Sequence, residues 1–137
     1  MEITPSEKNY MQAIYCLGGR AGLQIRPVDI AGYLGVSRPS VNRALKYLQK
    51  SGMIHITSHG SAMFTEKGMR TAKSILARYR TIKKFLETTL NAVGQSTERD
   101  AWAIEHVISN QTVSQMGRFL KKATDAEQYQ CVSYRIT

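Results

Sequence analysis

One cluster of residues in this 137-residue sequence has the types and spacing for metal or acid–base chemistry. Trp102, Glu105 and His106 are spaced i, i+3 and i+4, so on a helix they share one face. A carboxylate beside an imidazole can bind a divalent metal, or it can activate a nucleophile such as the distant Cys16. The sequence has no Gly-rich loop, nucleophile-elbow motif or third orienting residue, so we expect no enzyme.

A second cluster follows a tight turn and suits the reading of DNA. Gly35 fits the left-handed position past a helix end, Ser37 is a good N-cap, and Pro39 suits the first turn of the next helix. Three apolar residues of that helix repeat at i, i+4 and i+7 and are predicted to face inward: Val41, Leu45 and Leu48. Residues 29–54 are therefore predicted to form a helix-turn-helix.

The outward face of the second helix carries polar and basic side chains, and we expect it to lie in a duplex groove. Arg43 is predicted to pair with a guanine edge, Asn42 with adenine, and Pro39 or Ser40 with a thymine methyl. Phosphates are expected to be held by the flanking basic residues Arg38, Lys46 and Lys50. Ser37 completes the predicted DNA-binding set on this helix.

Local signals predict the elements around the helix-turn-helix. Thr4 and Glu7 form a capping box with Pro5 between them, which begins a helix that runs to about Leu17. Pro27 opens the first helix of the helix-turn-helix and is expected to bury three apolar residues: Val28, Ala31 and Leu34. Residues 53–57 and 62–64 are predicted to pair as a two-stranded wing. His59 lies in its turn, either as a phosphate or minor-groove contact or as a solvated residue.

The second half of the chain is predicted to be helical. A connector helix runs from residue 66 to about 91, and Thr97 is expected to cap a helix that continues to about residue 109. Thr112 and Gln115 predict the start of a last helix, which should bury its apolar residues Val113, Met116, Phe119 and Leu120. Residues 128–137 fit either a frayed tail or a short strand. The fold class is thus mainly α, with a winged helix-turn-helix domain at 1–70 and a connector and helical dimerisation domain at 71–137.

The charge distribution favours a polyanionic partner. The formal net charge is +9, and residues 1–65 carry seven Lys/Arg against three acids, residues 66–90 seven against two, and residues 91–137 five against five. Cys16 and Cys131 lie far apart without metal-ligand spacing, which indicates a reduced environment. No apolar run is long enough to span a membrane and no signal-peptide core precedes the first helix, so we expect a cytoplasmic protein.

Several motifs together resemble the diphtheria toxin repressor family of metal-dependent transcriptional regulators, in its short branch without an SH3-like domain. The motifs are Tyr10…Ile14-Tyr15, Asp29-Ile-Ala…Leu34-Gly-Val-Ser, Pro39-Ser-Val, Leu45…Leu48…Gly52, Thr65-Glu-Lys-Gly68, Phe85-Leu86 and Ala103-Ile-Glu-His106. The resemblance covers roughly residues 4–122. It implies a homodimer formed through the C-terminal helices, which places two winged helices on a palindromic DNA operator.

The resemblance also implies a divalent metal site, but this sequence departs from the family pattern there. The corresponding positions are Asn9, Gln12, Tyr79, Trp102, Glu105 and His106. Glu105 and His106 are the two ligands of the family type, whereas manganese or iron prefers several carboxylates and imidazoles. We therefore expect a degraded site and a repressor that is metal-independent or has an altered effector.

The sequence leaves three alternatives open. The first is a functional metal-responsive repressor whose site is rebuilt from Glu105, His106 and a neighbour such as Cys16. The second is a polar Glu105–His106 pair that is satisfied by hydrogen bonds with Gln12 or Asn9 and needs no metal, with Cys16 as a small buried hydrophobe. The third is an architectural DNA-binding protein without operator preference. The cofactor stays unassigned, with manganese or iron as the metals that the family implies.

Overall fold

The computed structural model describes the backbone of residues 3–136 and the side chains of residues 3–123. The elements in chain order are α1 (Pro5–Leu17), a short 3-10 turn (Gly19–Ala21), α2 (Pro27–Leu34), α3 (Arg38–Lys50), β1 (Ile54–Ile56), β2 (Ala62–Phe64), α4 (Glu66–Leu90), α5 (Gln95–Glu105) and α6 (Asn110–Ile136). Contacts divide the chain into two compact units, Met1–Leu76 and Ala77–Thr137. The predicted class, mainly helical with a winged helix-turn-helix, is confirmed.

Local capping explains where the helices of the first unit begin. Glu7 N donates to Thr4 Oγ1 and Thr4 N donates to Glu7 Oε2, both at 3.2 Å, so the predicted capping box is present. Gly35 ends α2 in the left-handed conformation, with φ 67° and ψ 37°. Ser37 caps α3 by accepting from Ser40 N at 3.2 Å. These short-range bonds set the turn between α2 and α3.

The first unit is built around one core that α1, α2 and α3 share. Met11 and Ile14 of α1, Ile30 of α2 and Leu45 of α3 are among its fully buried side chains. The prediction for α2 was partly wrong: Ala31 is buried, but Val28 is exposed and Ile30 takes the inward place. An eight-residue helix has too few apolar positions to define its face from spacing alone.

The wing is a two-stranded antiparallel sheet whose register joins Ile54 to Phe64 and Ile56 to Ala62. Ile25 adds an isolated bridge to Ala62, with N–H···O distances of 2.8 Å in both directions. This bridge ties the loop before α2 to the second strand of the wing.

Gly68 fixes the entry into α4. A Cβ on Gly68 would lie 1.7 Å from the carbonyl oxygen of Met53, so only glycine allows this close approach of backbone to backbone. Thr65 donates its hydroxyl to Met53 O at 3.1 Å and accepts from Gly68 N at 3.0 Å. The Thr-Glu-Lys-Gly motif therefore holds the start of α4 against the chain that leads into β1.

The second unit contains the rest of α4 with α5 and α6. Ile82, Ala101 and Val113 form its buried centre, and Tyr79 and Met116 are among the partly buried residues that pack on it. An aromatic contact joins Phe85 of α4 to Phe119 of α6, with ring centroids 5.5 Å apart. Phe119 is nevertheless 47% exposed, so the expectation that it is buried within the chain was wrong.

Three helix ends in the second unit differ from the prediction. Gly94, with φ 99°, precedes α5, so Thr97 lies inside that helix and is buried. The helix ends at Glu105 instead of residue 109. Ser109 caps α6 by accepting from Thr112 N at 3.2 Å, so Thr112 is not the cap. The backbone of residues 128–136 is helical, which excludes the strand alternative there; their side chains lie outside the described residues.

Within residues 3–136, none of the helices combines the length and the apolar character that a membrane span requires.

Candidate nucleic-acid interface and effector site

The recognition helix α3 separates its faces as the sequence predicted. Val41, Leu45 and Leu48 are at most 1% exposed. Ser40 is half-buried, and the other predicted DNA-binding residues of this stretch are exposed: Ser37, Arg38, Pro39, Asn42, Arg43, Lys46 and Lys50. The structure therefore places these eight predicted DNA-binding residues on α3 and its N-cap, while the apolar side of the helix is buried in the core.

A short hydrogen-bonded chain orients Arg43 at the start of α3. Ser37 Oγ and Ser40 Oγ lie 2.8 Å apart, and Arg43 Nη2 donates to Ser40 Oγ at 3.5 Å. The guanidinium is thereby turned toward the N-terminal end of its helix. That end of a recognition helix contacts base edges in helix-turn-helix proteins.

The sequence reasoning missed Tyr47 on this surface. An open groove of about 590 Å³ runs along the outer side of α3 and is lined by Arg43, Lys46, Tyr47, Gln49 and Lys50. Tyr47 is 65% exposed and lies one turn beyond Arg43 and one turn before Lys50. Those i−4 and i+3 neighbours were the signal that could have identified it. Gln49 accepts from Ile56 N at 3.0 Å and so joins α3 to the wing.

The wing presents His59 at its tip. Thr57 and Ser61 close the turn, with Thr57 N donating to Ser61 O at 2.8 Å and Ser61 N donating to Thr57 Oγ1 at 3.1 Å. His59 is exposed in this turn. Its contact with phosphate or with the minor groove stays a prediction.

In the second unit, three of the predicted effector residues contact one another through their rings in edge-to-face geometry. The rings of Tyr79 and Trp102 have centroids 5.6 Å apart, and those of Trp102 and His106 5.0 Å apart. His106 Nδ1 donates to Glu105 Oε2 at 2.9 Å. Four of the six predicted positions are thus neighbours, and Glu105 is 1% exposed.

Arg78 is the partner of Glu105 that the sequence did not reveal. Arg78 Nε donates to Glu105 Oε1 at 3.2 Å, and its side chain is 18% exposed. The two residues are 27 positions apart, so no local spacing relates them. Glu105 therefore uses one carboxylate oxygen for a guanidinium and the other for an imidazole.

The remaining predicted residues belong to the first unit. Asn9 and Gln12 are half-buried on α1, and Cys16 on the same helix is exposed. The interpretation of Cys16 as a small buried hydrophobe is therefore wrong. Among the side chains of residues 3–123, no group of three or more His, Cys, Asp or Glu is arranged to hold a metal ion.

Comparisons with known proteins cover both units. A family model described as iron dependent repressor, metal binding and dimerisation domain matches residues 65–129, and one described as Crp-like helix-turn-helix domain matches residues 10–65. The chain is 31% identical over 114 residues to transcriptional regulator MntR of Escherichia coli O6:H1, across 83% of this chain and 72% of that protein.

A second relative is an uncharacterized HTH-type transcriptional regulator of Methanocaldococcus jannaschii, 26% identical over 123 residues, across 90% of this chain and 98% of that one. Among solved structures, IdeR of T. acidophilum aligns with a TM-score of 0.71 and 25% identity. That alignment covers 87% of this chain but 55% of the solved one, so the chain spans about half the length of that protein.

Proposed function

Because the chain belongs to the DtxR/MntR-like family of DNA-binding transcriptional regulators, we propose that it is a homodimeric repressor that reads a palindromic operator without requiring a divalent metal. The family and the relatives are transcriptional regulators and not enzymes.

The observation that carries the DNA-binding role is the exposed face of α3. Arg43, oriented by Ser40, reads a guanine edge, and Asn42 reads an adenine. Pro39 or Ser40 meets a thymine methyl. The phosphates on either side are held by Ser37, Arg38, Lys46 and Lys50, with His59 on the wing. The winged helix thus occupies half of an operator.

A second copy of the chain supplies the other half-site. The second unit carries exposed apolar side chains, including Val107 at 85% and Phe119 at 47%. Burial of such residues between two copies is the expected driving force of a dimer formed through residues 97–122. Two-fold symmetry then requires a palindromic operator with half-sites about 10 base pairs apart.

The donor set argues against a manganese or iron site in this chain. A hard divalent cation prefers several oxygen ligands, including carboxylates. Both oxygens of Glu105 already have protein partners, at 3.2 Å to Arg78 and at 2.9 Å to His106. Trp102 contributes a ring without a metal-donor atom and packs on Tyr79 and His106. These residues do not fit the metal that the family implies.

The competing function is a metal-responsive repressor with a site rebuilt from Glu105 and His106. The metal-binding description of the matched family domain favours it. A gel-shift titration of the operator with chelator, Mn²⁺, Fe²⁺, Zn²⁺ and Co²⁺ separates the two. We expect equal operator affinity in chelator and in each metal. Strong stimulation by one metal, lost in His106→Ala, would establish the alternative.

The DNA-reading assignment is tested with two variants of α3. An operator is first selected from a random duplex library, and its affinity is compared with that of a random duplex between 50 and 200 mM salt, the range over which phosphate contacts act strongly. Arg43→Ala is expected to lower operator affinity by about 10- to 100-fold and to leave random binding unchanged, because a bidentate base contact contributes about 1–3 kcal/mol.

Lys50→Ala is the matched control on the same face. It should weaken binding to both duplexes and reduce the salt slope by about 0.9 per phosphate contact. If Arg43→Ala instead weakens both duplexes equally, Arg43 is a phosphate contact. Equal displacement of the wild type by operator and random DNA would indicate an architectural protein.

A further inference from the structure

Arg78 lies at the centre of a group of converging oxygen atoms in the second unit. Its Nε donates to Glu105 Oε1 at 3.2 Å, and its Nη2 donates to the carbonyl oxygens of Glu105 at 3.1 Å and Ile108 at 2.7 Å. Its Nη1 donates to Asn110 Oδ1. One guanidinium on α4 thus contacts the end of α5, the following turn and the start of α6.

These four oxygens are of the kind that attracts a cation. They comprise a carboxylate, two backbone carbonyls and a side-chain amide, which are the donor types that Ca²⁺ and similar hard cations use. The carbonyl of Glu105 is at the C-terminal end of α5, where the last carbonyls have no partner within the helix and the dipole is negative. A positive charge at this point is therefore favourable whatever its source.

We propose that the guanidinium of Arg78 is the resident cation of this unit and holds α4, α5 and α6 together in the place of a divalent metal. Arg78 acts as a positioning residue: it neutralises Glu105 and fixes the turn that carries His106. This proposal rests on the metal-independent function proposed above and names the residue that makes it independent.

The same contacts disfavour a metal ion at Glu105. A metal ion bonds to oxygen at about 2.0–2.6 Å, whereas Arg78 Nε lies 3.2 Å from Glu105 Oε1. Binding at Oε1 would bring two positive charges together or would displace Arg78 from four acceptors. Binding at Oε2 would compete with the hydrogen bond from His106. Removal of the guanidinium should therefore free this oxygen cluster for a divalent cation.

The test compares Mn²⁺ binding to the full-length wild type and to Arg78→Met, which keeps an unbranched apolar side chain without the charge. Free Mn²⁺ is measured by electron paramagnetic resonance, and the melting temperature is measured in chelator and in Mn²⁺. We expect Arg78→Met to bind Mn²⁺ at least about tenfold more tightly, the smallest effect that a charge within 4–6 Å usually exerts. We also expect its melting temperature to fall in chelator and to recover in Mn²⁺.

Two further variants act as controls. Lys83→Met breaks the partly exposed pair between Lys83 and Glu98, 3.5 Å apart, and should leave the Mn²⁺ affinity unchanged. Arg78→Lys retains the charge and should keep the affinity near that of the wild type. If Arg78→Met does not fold in chelator, folding restored by Mn²⁺ supports the proposal and failure of Mn²⁺ to restore it overturns it.

The overturning result for a folded variant is a destabilised Arg78→Met that binds Mn²⁺ no better than the wild type, because Arg78 would then be a structural contact alone. This outcome is distinct from a failure of the proposed function. Metal-dependent operator binding by the wild type would refute the function, whereas the Arg78 proposal depends on the difference in Mn²⁺ affinity between wild type and variant.

Discussion

Two ion pairs join α4 to α5, and their different burial allows a sharp stability prediction. Glu105 is 1% exposed and its partner Arg78 18%, whereas Glu98 is 53% exposed and its partner Lys83 33%. Removal of one partner from a buried pair costs about 3–5 kcal/mol because the other charge remains without its counter-ion. Loss of an exposed pair costs about 0–1 kcal/mol.

We therefore expect Glu105→Ala to lower the free energy of unfolding by about 3 kcal/mol, the lower end of the buried range because Arg78 retains some access to water. Glu98→Ala should lower it by no more than about 1 kcal/mol. The measurement is urea denaturation followed by circular dichroism, in chelator, at low salt and at 1 M salt. Salt should remove the effect of the exposed pair and leave most of that of the buried pair.

A double-mutant cycle separates the pair from the cavity that Glu105→Ala creates. Arg78→Met, Glu105→Ala and the double variant give the coupling energy, which we expect to exceed about 1.5 kcal/mol, within the range for residues in direct contact. A coupling no larger than that of Lys83 with Glu98 would refute the buried-pair reasoning. The loss of stability would then come from packing.

Two further predictions concern the first unit. Gly68→Ala should lower the free energy of unfolding by at least about 2 kcal/mol, since its Cβ would meet Met53 O. Gly32→Ala in α2 should raise the free energy of unfolding by about 0.5–1 kcal/mol, because no atom lies within 4 Å of a Cβ at that position. Urea denaturation of both variants measures this contrast, and equal effects would contradict the close backbone contact at Gly68. Tyr47→Ala should weaken binding to operator and random DNA alike, because it removes a contact beside the phosphates. Fluorescence anisotropy with both duplexes measures this effect. A selective loss of operator binding would instead make Tyr47 a base-reading residue.

The helix-turn-helix and the wing could be predicted because their signals are local. Gly35 must adopt a left-handed conformation and Ser37 must cap α3, and both requirements act within three or four residues. The wing turn likewise contains its own Gly60, with φ 82°. Local chemistry of this kind is visible in a single sequence.

The ends of α5 and α6 were harder to predict because two cap patterns compete there. Thr112 with Gln115 matches a capping box, yet Ser109 three residues earlier makes the bond to Thr112 N. At α5 the helix follows Gly94, and Thr97 is taken up by the core. Packing between helices helps to decide which residue begins a helix, and a capping pattern in the sequence carries no information about that packing.

The candidate effector site shows the same limit more clearly. The i, i+3, i+4 spacing correctly indicated that Trp102 and His106 meet, at 5.0 Å between ring centroids. The partner of Glu105, however, comes from α4, where Arg78 is one of seven basic residues in residues 66–90. From the sequence, each of these seven was an equally plausible solvated cation. Only the tertiary fold distinguishes Arg78 from its neighbours.

Pairing of α4 cations within the chain lowers the positive charge that this helix can offer to DNA. In α4, four of the seven cations have acceptors inside the chain. Lys67 donates to Ser51 O at 3.1 Å, and the other three pair with acids: Arg70 with Glu66, Arg78 with Glu105 and Lys83 with Glu98. The excess of five charges counted over residues 66–90 already subtracts Glu66, and the pairs with Glu105 and Glu98, which lie outside that range, lower it to about three.

We expect the exposed cations of α3 to account for most of the salt dependence of binding. If Arg38, Lys46 and Lys50 each neutralise one phosphate, a half-site should contribute a slope of about −2.7 and a dimer about −5.4 in log affinity against log salt. A measured dimer slope near −10 would show that α4 or the wing also contacts the backbone. Comparison of Lys73→Ala with Lys46→Ala would then identify the additional contact, because both lysines are exposed but only Lys46 lies on α3.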